Sequence, residues 1–201
     1  AYGLNDAPRL WYCHLVATLQ STGWKRSVFD PCLFYLRDKK GTLLGACTVH
    51  VDDIKLTAEH GVAMDLIKAL ESKYGKLTVQ MDQFKNCGVD HKRDSDGTVT
   101  MGQLAYAKTL KPVDVSSRGG DETVVLGARG QSDFRSVIGG LMWLVLTMPD
   151  LAVAVGLLQT VQGKATVKDA RLANKAIQVA QASNTILVYR RMPIPDRILA
   201  C

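Results

Sequence analysis

The sequence lacks any apolar run long enough to cross a bilayer; the run at residues 141–146 falls far short of the roughly 20 residues a spanning helix needs. It also lacks a cysteine pattern. Cys13, Cys32, Cys47, Cys87 and Cys201 are odd in number, scattered and never in C-x-x-C spacing. That excludes a disulfide framework or a zinc ribbon and leads us to expect reduced, intracellular thiols. His14, His50, His60 and His91 show no metal-ligand spacing, and no repeats or low-complexity tracts occur. Residues 1–9 lack the basic and apolar regions of a secretory signal. The opening is turn-like and has no Met, so a piece of something longer is expected.

What is present is enough for a folded chain. Across 201 residues, 47% are hydrophobic and 22% charged, which excludes disorder, collagen-like repeats and a coiled coil. The length suits one medium domain or two small lobes. Lys and Arg number 25 against 19 Asp and Glu, and the resulting +6 mildly favours an anionic partner.

Periodicity sets an order of elements. Asp6 and Pro8 open a helix that carries Leu10, Trp11, Leu15, Val16 and Leu19 and stops at Gly23. Strands are expected at residues 32–37 and 42–51 around the turn Asp38-Lys39-Lys40-Gly41. Residues 54–56 resume a strand after Asp52-Asp53, and residues 61–74 read as a helix. A second hairpin flanks Asp94-Ser95-Asp96-Gly97, and a short helix spans 103–110. Residues 113–132, polar and Gly-rich, read as a linker. Helices at 133–148, 151–163 and 166–183 and a short strand at 185–189 follow. The expected fold is α+β: segment 1–112 with an antiparallel sheet and helices, linker 113–132, and a helical lobe 133–201.

Asp52-Asp53 is the strongest chemical signal. Two neighbouring carboxylates in a hairpin flanked by Val49, Val51 and Ile54 repel each other unless a cation compensates. Magnesium takes one or two carboxylates plus substrate phosphates, so the pair is a candidate platform for phosphoryl or nucleotidyl transfer. The plainer reading is a solvated turn, since Asp is common in turns. The first helix could bind phosphate at its N-terminus, but an Asp6 cap would occupy those N–H groups. Lys168, Arg171 and Lys175 form a basic stripe on the last helix that could track a nucleic-acid backbone or simply face solvent. Gly139-Gly140 inside a helix costs about 1 kcal/mol per residue and suggests close approach of another backbone.

Several segments, in order, resemble the reverse transcriptase of Ty1/copia-type LTR retrotransposon polyproteins. Tyr2-Gly3-Leu4-x-x-Ala7-Pro8-Arg9-x-Trp11-Tyr12 is similar to the family's YGLKQAPRAWY, and Ser27-x-x-Asp30-Pro31-Cys32-Leu33-Phe34 to SxxDPCLF. His50-Val51-Asp52-Asp53-Ile54 resembles YVDDI, and Gly97, Met101, Gln103, Tyr106 and Leu110 follow GxxxLxQxxYxxxLL. Phe134 through Leu144, then Met148-Pro149-Asp150-Leu151-Ala152, resemble YRSAVGSLMYLAVTRPDIA. Asn5-Asp6 stands where the family has Lys-Gln, and His50 where it has Tyr.

The resemblance implies part of a polymerase palm followed by a helical thumb, with Asp52 and Asp53 as catalytic, metal-binding carboxylates for Mg2+ (or Mn2+). It places Asp6, Pro8 and Arg9 at the nucleotide, His50 and Val51 near the primer terminus, and Gly139 and Trp143 along the duplex. Lys168, Arg171 and Lys175 would be a weaker nucleic-acid contact. The partners implied are an RNA or DNA template–primer, deoxynucleoside triphosphates and the remainder of the Pol polyprotein, with no membrane. A further catalytic Asp is expected upstream of Ala1, so the isolated chain is expected to be inactive. The alternatives are a non-catalytic relic or domesticated nucleic-acid-binding fragment, and an unrelated phosphotransferase that needs Asp82, Asp90 or Asp94 near the pair.

Overall fold

The computed structural model describes residues 5–115 and 121–191. The chain divides into two compact units, one built on residues 5–81 and one spanning Asp82–Arg191. Among the described residues each holds a four-stranded antiparallel sheet, and six α-helices complete an α+β fold.

In the first unit, helix α1 (Ala7–Ser21) leads into strands β1 (Lys25–Arg26), β2 (Leu33–Arg37), β3 (Leu43–His50) and β4 (Asp53–Ala58), and then helix α2 (His60–Tyr74). The sheet order is β1-β2-β3-β4. Side chains on a strand alternate between faces. Phe34, Cys47 and Val49 therefore face one way, where Leu15 and Leu19 of α1 and Leu66 and Leu70 of α2 bury them. The opposite face carries Lys25, Tyr35, Thr48, His50 and Asp53, aligned by the pairings Lys25↔Tyr35 and His50↔Asp53. Gly45 sits opposite Ala58, and a Cβ there would lie 2.7 Å from the Ala58 Cβ and 2.9 Å from the Trp24 ring.

The second unit begins with strands β5 (Gln83–Asn86), β6 (Val89–Arg93) and β7 (Val99–Gly102), followed by the short helix α3 (Leu104–Ala107). Helix α4 (Ala128–Val145) buries Phe134, Val137, Ile138, Leu141 and Leu144 at helical spacing. A 3-10 turn at Pro149–Leu151 leads to α5 (Ala152–Gln159) and α6 (Val167–Ala182), and β8 (Leu187–Tyr189) closes the sheet beside β7. A capping box starts α6: the Thr166 hydroxyl accepts from the Asp169 backbone N–H, and the Asp169 carboxylate accepts from the Thr166 N–H. Buried Ala170, Ala173, Ala176 and Ala180 make the inner stripe of α6 thin enough for close helix packing.

The two units divide at Met81/Asp82, and the described residues of segment 113–132, expected to be a linker, are grouped with the second unit. Val113 and Leu126 are buried there, and α4 starts at Ala128, five residues ahead of the expected 133. Side-chain amides explain why so polar a segment packs. Asn174 both accepts from the Val113 N–H and donates to its carbonyl at 2.8 Å. Gln131 donates to the Leu126 and Ala165 carbonyls. Residues 2–4 of the first motif, 116–120 of the expected linker and 192–201 lie outside the described residues.

Because the atoms facing Gly45 belong to a strand and a buried ring, they can yield little. Gly45→Ala is expected to destabilise the chain by about 1–3 kcal/mol in urea unfolding. Cys47 provides a pH signature. Burial pushes its thiol up from 9.0 to about 12, so the folded state keeps the proton that the unfolded state releases. Its contribution is complete below pH 9 and is lost as pH climbs from 9 towards 12. Cys47→Ala is expected to flatten the alkaline fall in the unfolding midpoint over that window; an unchanged fall would contradict this.

Candidate functional site

The carboxylate pair lies at a tighter turn than the sequence suggests. Strand β3 ends at His50 and β4 begins at Asp53, so Val51 and Asp52 form a two-residue loop. Asp53 thus belongs to the strand, and Val51, expected to end one, occupies the turn. This register sets Cys47 against Leu56 and Val49 against Ile54 on the core face, and brings Ala58 onto Gly45. His50, Asp52 and Asp53 are all exposed, and His50 and Asp53 are cross-strand partners on the face away from the helices. Neither the Asp52 nor the Asp53 carboxylate has a hydrogen bond or ion pair among the described residues.

Val51 has φ 56°, in the left-handed region. For a β-branched residue this is a true outlier and costs about 1–2 kcal/mol. The sequence offers Gly or Asn at neither central position, although two-residue loops favour them. A second element supports the turn. Trp11 of α1 donates its indole Nε1–H to the Val51 carbonyl at 2.8 Å. The Trp11 ring packs edge-on against Tyr74 of α2, with centroids 5.0 Å apart. Tyr74 in turn shares its hydroxyl with His14 Nδ1 and Thr18 Oγ1, each at 2.9 Å. The tip, α1 and α2 thus form one connected structure.

Sequence reading treated Trp11 as one apolar position among several, and Tyr74 likewise. Periodicity carries no signal for a contact 40 residues away. Asp6 also departs from expectation. It precedes α1 at φ −89° and ψ −8°, a helical rather than extended conformation, so its carboxylate makes no capping bond. Asp6, Pro8 and Arg9 are exposed on the helix that carries Trp11.

On α4 the two glycines differ. A Cβ on Gly140 would lie 2.7 Å from Leu110 Cδ2, so Gly140 serves packing inside the unit. Gly139 is exposed with nothing within 4 Å of such a Cβ. A Cβ built on Gly88 would lie 3.2 Å from the indole nitrogen of Trp143, one turn on from Gly139. With the buried Gln103 amide turned to satisfy both its ends, its oxygen accepts from Trp143 Nε1 at 2.8 Å and its nitrogen donates to the Trp143 carbonyl. The Trp143 indole N–H is therefore committed to the fold. Lys168, Arg171 and Lys175 are exposed on α6, and Arg171 pairs with Glu122 at 2.6 Å, which weakens the stripe.

Two exposed carboxylates are hard oxygen donors, the chemistry that Mg2+ or Mn2+ takes alongside water and phosphate. The donor type fits, but the number falls short of a closed site. Among the described residues no group of three or more His, Cys, Asp or Glu could hold a metal. Asp82, Asp90 and Asp94, the extra ligands an unrelated phosphotransferase would need, are paired with Arg93, Lys85 and Lys92. No helix among the described residues is long and apolar enough to cross a membrane.

Comparison with known proteins gives the following. The chain is 30% identical over 166 residues to the retrovirus-related Pol polyprotein from transposon RE2 of Arabidopsis thaliana, covering 77% of this chain and 11% of that protein. It is 28% identical over 168 residues to the corresponding polyprotein from transposon RE1 of the same plant, with the same coverage. A transposon Ty5-1 protein of Saccharomyces cerevisiae is 25% identical over 170 residues, covering 78% of this chain and 54% of that one. The chain thus spans about a tenth of the plant polyproteins and about half of the yeast protein. No family model and no solved structure matches it.

Proposed function

From the kinship of this chain with a segment of copia-type retrotransposon Pol polyproteins, we propose that it is the palm and thumb part of an RNA-directed DNA polymerase. The observation that carries this reading is the tip itself. Asp52 and Asp53, unpartnered among the described residues, stand at a strained turn at one end of a sheet whose helices α1 and α2 pack on the other face. The uncovered face holds Lys25, Tyr35, Thr48 and His50, a polar and basic surface suited to a phosphate backbone.

In this reading the chain's residues have separate tasks. Asp52 and Asp53 would hold Mg2+, which when bound acidifies a primer 3′-hydroxyl and neutralises triphosphate charge. A third donor would come from a preceding segment of the Pol polypeptide. His50 and Val51 would flank the primer terminus, and Arg9, with Pro8 and Asp6 at the start of α1, would face the incoming nucleotide. Gly139, open on the exposed side of α4, would let the duplex approach the helix backbone. Trp143 would shape that surface through its ring face, and Lys168 and Lys175 would add charge, with Arg171 shared with Glu122.

One observation favours a second reading, a non-catalytic nucleic-acid-binding relic: the described residues supply no complete metal cluster. Primer extension separates the two. A Pol polypeptide that adds the preceding segment to this chain is expected to extend a primer with Mg2+, and Asp52→Asn is expected to reduce extension to background. Extension that survives Asp52→Asn would sink the polymerase reading. Template–primer binding without extension in the parent polypeptide would favour the relic. Gly139→Ala tests the second unit. It is expected to raise stability by about 1 kcal/mol, because the site is open and Ala is the better helix former. The same change is expected to weaken template–primer binding, measured by fluorescence anisotropy at fixed salt. Equal affinity in the two proteins would remove α4 from the interface.

A further inference from the structure

Of the features outside the carboxylate pair, the connection from α2 through α1 to the hairpin tip has the most specific geometry. Val51 is held in a backbone conformation that its own side chain disfavours. The turn it makes is exposed, with Val51 at 68% of full exposure, so burial does not hold it. Its carbonyl has one side-chain donor, the Trp11 indole at 2.8 Å. That indole is itself fixed by the Tyr74 ring, and the Tyr74 hydroxyl is fixed by His14 and Thr18. A rigid aromatic pair therefore meets the backbone of the one strained residue beside the carboxylates.

We infer that Trp11 is a positioning residue: its indole N–H, braced by Tyr74, holds the Val51 carbonyl and so keeps the tip in the left-handed turn that presents Asp52 and Asp53. This rests on the polymerase reading for its purpose and on geometry alone for its existence. Trp11 bonds the backbone of Val51, and so acts through the chain between the carboxylates and α1. A glycine at position 51 would adopt positive φ freely and would not need the brace. Strain and brace should therefore be coupled.

The test uses Trp11→Phe, which keeps a ring against Tyr74 and removes the donor, alone and with Val51→Gly. In 1H–15N spectra of this chain, Trp11→Phe is expected to shift or split the amide resonances of residues 50–53. The double variant should return them to one sharp set. Tyr74→Phe, which keeps the ring contact, should leave them single. An unperturbed tip in a folded Trp11→Phe protein overturns the inference. Should that variant fail to fold, indole hydrogen exchange in the unaltered chain decides: a protected Trp11 proton is expected, and free exchange overturns the role. In the Pol polypeptide that extends primers, Trp11→Phe is expected to lower kcat about tenfold with nucleotide KM within about twofold, and an unchanged kcat also overturns it. Extension that survives Asp52→Asn defeats the polymerase reading separately, and the spectra still decide the positioning role.

Discussion

Val51 is β-branched, exposed and left-handed at φ 56°, so the turn that sets Asp52 beside Asp53 is held by its neighbours and not by its own preference. The strain of about 1–2 kcal/mol and the net worth of one hydrogen bond, about 1 kcal/mol, are of the same size. The single bond from Trp11 is thus enough to decide whether the turn keeps its shape. Register adds to this. Pairing Gly45 with Ala58 leaves no slack, because the Ala58 Cβ and the Trp24 ring already fill the space a side chain would need. Slipping the hairpin by one residue would turn Val49 and Cys47 out of the core, since strand side chains alternate. The tip is locked from below by packing and from the side by α1.

The second unit relies on another device. Its long polar connection between α3 and α4 would strand backbone groups if it packed without partners. Amide side chains on the helices supply those partners: Asn174 to Val113, Gln131 to Leu126 and Ala165, and Gln181 to Ala107 and Leu110. Each amide offers a donor and an acceptor on a short stem, which suits it to strap a loop onto a helix. The same logic fixes Trp143 through Gln103. Once Gln103 takes the indole N–H and Leu110 fills the space beside Gly140, Gly139 is the member of the glycine pair left open to an external backbone.

Much of this was legible in the sequence, for physical reasons. Strands β2 and β3, helices α2 and α6 and the hairpin around Asp94–Gly97 follow from periodicity and turn chemistry, which are local properties. The carboxylate pair at a hairpin tip was legible too, because apolar residues flank it on both sides. The exact turn was not. A loop centred on Asp52-Asp53 buries the same face, and the choice between registers depends on Gly45, Ala58 and Trp24, which are distant in sequence. The packing of the described part of segment 113–132 was not legible for a similar reason: the amides that bond Val113 and Leu126 sit on α6 and α4, distant in sequence from Val113. Asp6 looked like a cap by residue type and place, yet its backbone angles keep the carboxylate from the helix N–H groups.

The tip combines two costs that bring the fold no return. A left-handed valine is strained, and the adjacent carboxylates repel each other and form no ion pair among the described residues. Gly or Asn at position 51 would relieve the first, and a neutral residue at 52 or 53 the second, with no loss of core burial, since all three positions are exposed. A turn kept only to join β3 to β4 has no use for either cost. Both become intelligible when something outside the fold uses them. A cation and phosphate groups would offset the repulsion, and a stiff turn would hold the two carboxylates in one arrangement before those ligands arrive. In the same way Trp11, an ordinary member of an amphipathic helix by sequence, becomes necessary once the turn it supports must stay rigid.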